Sequence, residues 1–314
     1  MKKRGIGYAS TFYGTGYGNG FPDISRAIAE LGTDGNIYIY VGATEVGQGA
    51  KTILSQIAAE ALGVDFSSIV FICEDTSITP DAGTAAASRQ TYNTGNAIKL
   101  ASEKLRNEII NILEKRYGIS TENIEDYLLQ VAKLNGDEAL RMDGIFTAST
   151  TEMDAETGQG NPYYPYTFSV YGIEVEVDTT TGIVEVTKAV CGQDVGRAIN
   201  PKLIEGQIDG GFSMGLGYGI MEDINLQSGR IKHDRFTSYL IPTALDMPDI
   251  DKIIIEEPEA TGPYGAKGIG EPVLVAVAPA ILNAIYNAVG VRMKEIPVTP
   301  ERLLKALKVK ERGV

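Results

Sequence analysis

Apolar and polar residues alternate with a period of two in several stretches of this 314-residue chain, which is the pattern of half-buried strands. Arg4–Ser10 reads as a short strand and Thr11–Pro22 as a glycine-rich loop. Ser25–Leu31 has helical propensity. However, Gly32-Thr33-Asp34-Gly35 is a turn cluster and Asn36–Gly42 alternates, so the region is read as a β-hairpin. Ser68–Cys73 is a further strand. Phe168–Asp178 and Gly182–Cys191 are strong alternating runs joined by a Thr-Thr-Thr-Gly turn, a second hairpin. Ile220–Leu226, Arg230–His233 and Ile253–Glu257 complete the predicted strands.

Elsewhere the pattern is helical. Ala50–Leu62 places Ile53, Ile57 and Ala61 on one face. Ala97–Tyr117, Ile119–Leu134, Pro201–Leu216, Pro272–Val289 and Thr299–Val309 are the other predicted helices, and Thr79–Thr94 is a loop of small residues. Glu152–Pro165 has turn chemistry throughout and is read as the boundary between two lobes, 1–160 and 161–314. Hairpins occur and no steady βαβ rhythm is present. The expected class is therefore α+β, with two lobes of mixed sheets and packed helices.

Charge narrows the functional classes. A formal net charge of −13 argues against nucleic acid as a partner. No run of 18 apolar residues is evident, so no membrane span is expected. The basic start Met1-Lys2-Lys3-Arg4 is not followed by an apolar segment, which points to a cytoplasmic protein. Cys73 and Cys191 sit in apolar runs without ligand spacing. They are read as buried and inert, and this chain alone holds no iron–sulfur cluster or zinc site. The only histidine, His233, has no G-x-S-x-G elbow to serve.

Glycine clusters then direct attention to four segments. Gly42–Gly49 lies between a strand and a helix, where free N–H groups attract anions, but it lacks the Lys of a P-loop. Gly83–Thr91 lets backbone amides approach a ligand, with Ser88, Arg89 and Gln90 as added donors. In Glu205–Gly215 the glycines read as close helix packing, and Gln207 stands out as an amide able to meet a ligand. Gly262–Pro272 delivers Glu271 to the mouth of an apolar helix, where the dipole favours its anion and apolar surroundings oppose it. Such a carboxylate suits general-base work. Each segment alone also fits a plainer reading: a tight turn, a flexible loop, a packing face, or a helix-terminal charge.

Together and in this order, the segments resemble the molybdopterin-binding subunit of the xanthine dehydrogenase / aldehyde oxidase family. The resemblance runs from Gly5-Ile6-Gly7-Tyr8 to Thr299-Pro300-Glu301-Arg302 and corresponds to the C-terminal half of that family's large subunit. It implies pterin contacts from Val46, Gly47, Gln48 and Gly49, from Ala87, Ser88, Arg89 and Gln90, and from Gln207. It implies Glu271 as the catalytic base and Tyr8 as an aromatic facing the substrate ring. The function implied is a molybdenum hydroxylase. It would use Mo-molybdopterin, in its cytosine dinucleotide form, to place water-derived oxygen on an electron-poor carbon of a nicotinate- or purine-like heteroaromatic. The metal is then held by the pterin and not by protein side chains. An aldehyde-oxidising member and a non-catalytic cofactor-binding or assembly protein are the alternatives. The 2Fe-2S and FAD groups would sit on iron–sulfur and flavin subunits, and a second molybdopterin subunit would supply the family's N-terminal half. The layout from Met1 resembles the nicotinate dehydrogenase type, whose large subunit is split in two, with a truncated chain as the alternative.

Overall fold

The computed structural model describes residues 1–18, 21–134 and 138–311. In chain order the first part forms β1 (Lys2–Gly14), β2 (Ile24–Leu31), β3 (Ile37–Tyr40), α1 (Ala50–Leu62), β4 (Ile69–Ile72), α2 (Gly95–Tyr117), α3 (Leu128–Leu134) and β5 (Leu140–Thr147). The second part forms β6 (Tyr166–Asp178), β7 (Val184–Asp194), α4 (Pro201–Leu216), β8 (Leu226–Gln227), β9 (Arg230–Ile231), β10 (Asp249–Ile255), α5 (Pro272–Val275), α6 (Val277–Val289) and α7 (Pro300–Glu311). Two four-stranded sheets result, β4-β3-β2-β5 and β1-β6-β7-β10, and β8 with β9 makes a small separate hairpin. This is the α+β arrangement that the alternation predicts, and both expected hairpins form.

Each sheet has its own core. Leu31, Ile37, Ile39, Leu54, Ile57, Ile98 and Leu105 are buried between the first sheet and α1 and α2. Tyr171, Ile173, Val175, Phe212, Ile281 and Ile285 are buried between the second sheet and α4 and α6. Burying each such side chain stabilises the fold by about 1.5–3 kcal/mol before entropy is counted. The two helical covers reach their sheets in the same way. A Cβ on Gly7 of β1 would lie 2.2 Å from the Ala284 nitrogen of α6, and one on Gly144 of β5 would lie 1.9 Å from the Ala97 carbonyl oxygen of α2. Only glycine permits helix backbone to rest directly on strand backbone there.

The strand expected at Arg4–Ser10 continues to Gly14, because β6 offers a partner at every position, with Phe12 opposite Phe168. It therefore takes up the start of the expected Thr11–Pro22 loop, of which Asn19 and Gly20 lie outside the described residues. Residues 2–14 thus belong to the second sheet, on the far side of a division at residue 160. Residues 24–147 form an excursion between β1 and β6, entering and leaving by paired neighbours, Ile24 opposite Thr147.

Other elements differ from expectation for local reasons. Ile119–Leu134 is not one helix. Thr121 Oγ1 accepts from Asn123 N (3.1 Å) and Asn123 Oδ1 from Glu125 N (3.1 Å), so side chains take the donors a first turn would use, and winding starts only at Glu125. The edge strand β5 is unforeseen, since its alternation is masked by Arg141, Asp143 and Gly144. No strand forms at Ile220–Leu226. α4 instead runs on through a π-helical turn at Gly217–Met221, and only Leu226–Gln227 pairs, with Arg230–Ile231. The end of the expected Thr79–Thr94 loop, Gln90–Thr94, is a π-helical turn leading into α2. Pro272–Val289 breaks at Ala276 because Pro279 has no N–H to give to Val275. With a mean hydropathy of 1.7, that stretch is apolar and long enough to cross a membrane, contrary to the sequence expectation, but half of it is buried within the fold.

Candidate functional site

A cavity of about 330 Å³ opens between the lobes, and all four glycine-rich segments reach its wall. The first segment turns into α1. Glu45 folds back so that its carboxylate accepts from Gly47 N (2.7 Å), Gly49 N (3.1 Å) and Lys51 N (2.9 Å). The N–H groups expected to meet an anionic ligand are therefore met by the chain's own carboxylate. Burial alone would raise the Glu45 carboxyl, but the bonds from Lys51, Gly49 and Gly47 outweigh it and hold the group below the usual range. Gln48 is also engaged within the loop. It donates to Thr44 O (2.9 Å) and Gln90 Oε1 (2.8 Å) and accepts from Val46 N (2.7 Å).

The second segment carries Ala87 and Ser88 at φ 56° and 54°. Left-handed backbone costs a residue with a Cβ roughly 1–2 kcal/mol, so neighbours must enforce it. One is Gly16, whose N–H donates to Ala87 O at 3.0 Å. Arg89 is another. Its guanidinium is buried and donates to Asp23 Oδ1 (2.5 Å), Ala82 O (2.6 Å), Ile24 O (2.9 Å) and Ser25 Oγ (3.0 Å). This corrects the expectation that Arg89 offers its side chain to a ligand. A buried cation needs partners, and the loop supplies them.

The third segment lies on α4, whose cap Asn200 accepts from Leu203 N (3.2 Å) and bridges the lobes by donating to Gln56 Oε1 (3.2 Å). Gln207 follows on α4. It lines the cavity, is half-buried, and its side chain makes no hydrogen bond among the described residues. Arg197, on the connection from β7, is exposed on the same wall and forms no ion pair among the described residues.

The fourth segment is anchored by a buried ion pair, Lys267 Nζ to Asp194 Oδ2 at 2.8 Å, and Gly196 N donates to the other carboxylate oxygen at 3.0 Å. Beyond it the segment lies against the second one. A Cβ on Gly268 would fall 1.7 Å from the Ser88 carbonyl oxygen. The Ser88 hydroxyl accepts from Glu271 N (2.9 Å) and hydrogen-bonds the Glu271 carboxylate. Tyr13 of β1 is beside them. Burial, then the charge of Glu271, push its hydroxyl up to about 12, so it stays protonated.

The cavity wall thus joins Val46, Gln48, Ser88, Arg89, Gln90, Gln207 and Glu271. Gly47, Gly49 and Ala87 adjoin it without lining it. At φ 97° and 85°, the two glycines provide the turn that lets Glu45 fold back. Tyr8 is 66% exposed on the outer face of β1 and is not on the wall. His233 follows β9 and is not on the wall either. Both cysteines are buried, and burial pushes both thiols up, Cys191 to about 11.

Sequence reasoning passed over Glu45, Lys267, Asp23, Asp194 and Tyr13. The first two were visible as charges set among loop glycines. Asp23 and Asp194 gain meaning only from partners 66 and 73 residues away.

Comparison with known proteins bears on this geometry. The family of molybdopterin cofactor-binding domains matches residues 1–248. The chain is 36% identical to the aldehyde oxidoreductase of Megalodesulfovibrio gigas, over 98% of this chain and 32% of that protein. It is 32% identical to the putative xanthine dehydrogenase molybdenum-binding subunit XdhA of Escherichia coli, over 96% of this chain and 42% of that protein. Among solved structures, the aldehyde oxidoreductase of Desulfovibrio desulfuricans superposes with a TM-score of 0.85 at 36% identity, covering 97% of this chain and 32% of that one. The chain therefore spans only a third to two fifths of the length of these relatives.

Proposed function

The chain belongs to the molybdopterin cofactor-binding domain family, within the xanthine dehydrogenase / aldehyde oxidase group. From that premise we propose that it holds Mo-molybdopterin in the cavity between its lobes and supplies Glu271 as the general base of a molybdenum-dependent hydroxylase. The observation that carries this reading is the convergence of four separate segments on one cavity, with Glu271 and the unbonded amide of Gln207 on its wall.

The residues suit such a group. The cavity is walled by apolar side chains such as Ile53, Leu54, Leu203 and Ile204, with few polar atoms among them, as organic cofactor sites generally are. Gln207 is the amide available to the pterin. Arg197 is the cation available to the phosphates of the cytosine dinucleotide form. When bound, the cofactor supplies oxygen-transfer and electron-accepting chemistry. The protein's share is positional. Ser88 holds the Glu271 carboxylate at the cavity wall, Tyr13 stands beside it with its hydroxyl protonated, and Glu271 accepts the proton that the hydroxylation releases.

The substrate in this reading is an electron-poor ring carbon of a nicotinate- or purine-like heteroaromatic. A second reading, an aldehyde substrate, is favoured by the 36% identity to an aldehyde oxidoreductase. In either case the chain works inside an assembly with a second molybdopterin-binding portion, an iron–sulfur component and a flavin component. The test is to purify the assembly through a tag on this chain, measure molybdenum and the CMP released by acid hydrolysis, and assay heteroaromatics and aldehydes side by side. Molybdenum with CMP and heteroaromatic turnover is expected. Turnover of aldehydes alone selects the second reading. Molybdenum without any turnover leaves a non-catalytic carrier, and an assembly without molybdenum overturns the proposal.

A further inference from the structure

The outer face of the β1-β6-β7-β10 sheet, turned away from α4 and α6, consists of two unlike halves. At one end the outward side chains are charged and paired across strands. Lys2 meets Glu176 (2.5 Å), Arg4 meets Glu176 (3.3 Å) and Glu174 (3.8 Å), and Lys188 meets Asp251 (2.9 Å). A sheet face that meets water is built in this way.

At the other end the same alternation turns Tyr8, Phe12, Phe168, Val170, Ile253 and Ile255 outward, each 45–66% exposed. These side chains form one surface. Phe12 stacks on Phe168, with centroids 5.2 Å apart, and on Tyr166 at 4.4 Å. Gly192 of β7 stands in register with Val170 on one side and Ile253 on the other. A Cβ on Gly192 would lie 3.1 Å from Val170 Cγ1 and 3.7 Å from Ile255 Cδ1, so the neighbouring side chains close over its backbone and the surface is continuous. Exposed contiguous apolar patches of this kind mark surfaces that another molecule covers.

The apolar half is also the half that borders the cavity. Val195, next after β7, lines it. Tyr13, next to Phe12, is beside Glu271. Ser169, next to Phe168, donates to the carbonyl of Pro272, the residue after Glu271, at 3.0 Å. Tyr13, Ser169 and Val195 meet the cavity side from the inner face of this end of the sheet, and the patch lies on the outer face of the same end. An anionic membrane surface is disfavoured, since the chain carries a net charge of −13 and the charged residues flanking the patch are already paired. The lengths of the relatives point to a protein instead. This chain accounts for 32% and 42% of them, and the fold superposes on one third of a single longer polypeptide.

We propose that the apolar half of this sheet face is the docking surface for the polypeptide corresponding to the part of the relatives' length that this chain does not span. The inference deepens the functional reading, which requires a second molybdopterin-binding portion, and adds which face of this chain receives it.

The test uses the intact assembly, purified through a tag on this chain from cells carrying the photo-crosslinking residue p-benzoylphenylalanine in place of Phe12, Ile255 or, as a control on the charged half, Lys188. After irradiation the crosslinked peptides are identified by mass spectrometry. Crosslinks from positions 12 and 255 to a sequence homologous to the relatives' unmatched portion, and none to it from position 188, are expected. Crosslinks to a second copy of this chain, to an iron–sulfur or flavin component, to no protein, or equally from position 188 would overturn the assignment. Molybdenum content of the same preparation reports separately on the functional reading, so the two can fail independently.

Discussion

Ser88 and Glu271, 183 residues apart in the chain, are joined twice. The Ser88 hydroxyl accepts the backbone N–H of Glu271 at 2.9 Å and also bonds its carboxylate. The carboxylate comes from the C-terminal lobe and is aimed by a left-handed loop residue of the other lobe.

If Glu271 is the proton acceptor, Glu271→Gln keeps the bond from its N–H and the shape of the wall but removes the base. General-base catalysis contributes about 10²–10⁴-fold, so kcat should fall by at least about 100-fold while molybdenum content stays near normal. KM should move far less, because the loss lies in the transition state. Near-normal turnover in a molybdenum-replete Glu271→Gln assembly would remove Glu271 from the mechanism.

Gln207 lines the cavity without a side-chain partner among the described residues, which makes it the side chain whose loss should act through the ligand and not through the fold. Losing a hydrogen bond to a buried polar group costs roughly 1–3 kcal/mol. Gln207→Ala should therefore purify with less molybdenum and an unchanged apo melting temperature. Full molybdenum occupancy through extended dialysis would count against the pterin contact.

Two glycines of one segment make a matched pair. An added Cβ on Gly268 would fall 1.7 Å from the Ser88 carbonyl oxygen, whereas on Gly270 the nearest atom, Ser88 Oγ, is at 3.5 Å. Gly268→Ala should push the two cavity loops apart, with a destabilisation of roughly 1–3 kcal/mol and loss of cofactor. Gly270→Ala should be tolerated. Equal thermal melts and molybdenum contents for the two variants would show that the contact does not matter.

Glu45 gives a pH prediction. Its folded-state pKa lies below the ordinary value of 4.5, so its contribution is present above that value and is lost as pH falls through the lower folded value. Glu45→Gln should cost about 0.5–2 kcal/mol at pH 7, the usual worth of a helix cap. The gap between variant and parent in urea titrations should narrow as pH drops below 4.5. A gap that stays constant with pH would mean that the carboxylate's charge plays no part.

What could be read in the sequence follows from the range of the interactions involved. α1 starts and stops, and α4 starts, where their patterns and caps predict, because Gly49, Gly63 and Asn200 act within a few residues. The site segments stood out because glycine clusters are a local signal. The use made of the residues within them was not legible. Arg89 looked like a ligand donor until Asp23, 66 residues away, took its guanidinium. The helix terminus beside Gly49 looked vacant because a carboxylate four residues back can fill it only when Gly47 and Gly49 turn left-handed. β5 escaped notice because an edge strand lying under a helix needs glycine and tolerates charge, and both blur alternation.

The pairing of β1 with β6 has a bearing on how the chain is made. Residues 24–147 contain a complete sheet and core of their own, so this lobe can close while the ribosome is still translating. β1, translated ahead of that lobe, has no such opportunity. Its 13 pairing positions face residues 166–178, so it must remain unpaired through the synthesis and collapse of everything between them. Contacts of such long sequence separation form slowly. β1 therefore emerges before the lobe it precedes but is placed after it, and until it is, β6 presents an open edge for chaperones or a neighbouring chain to capture.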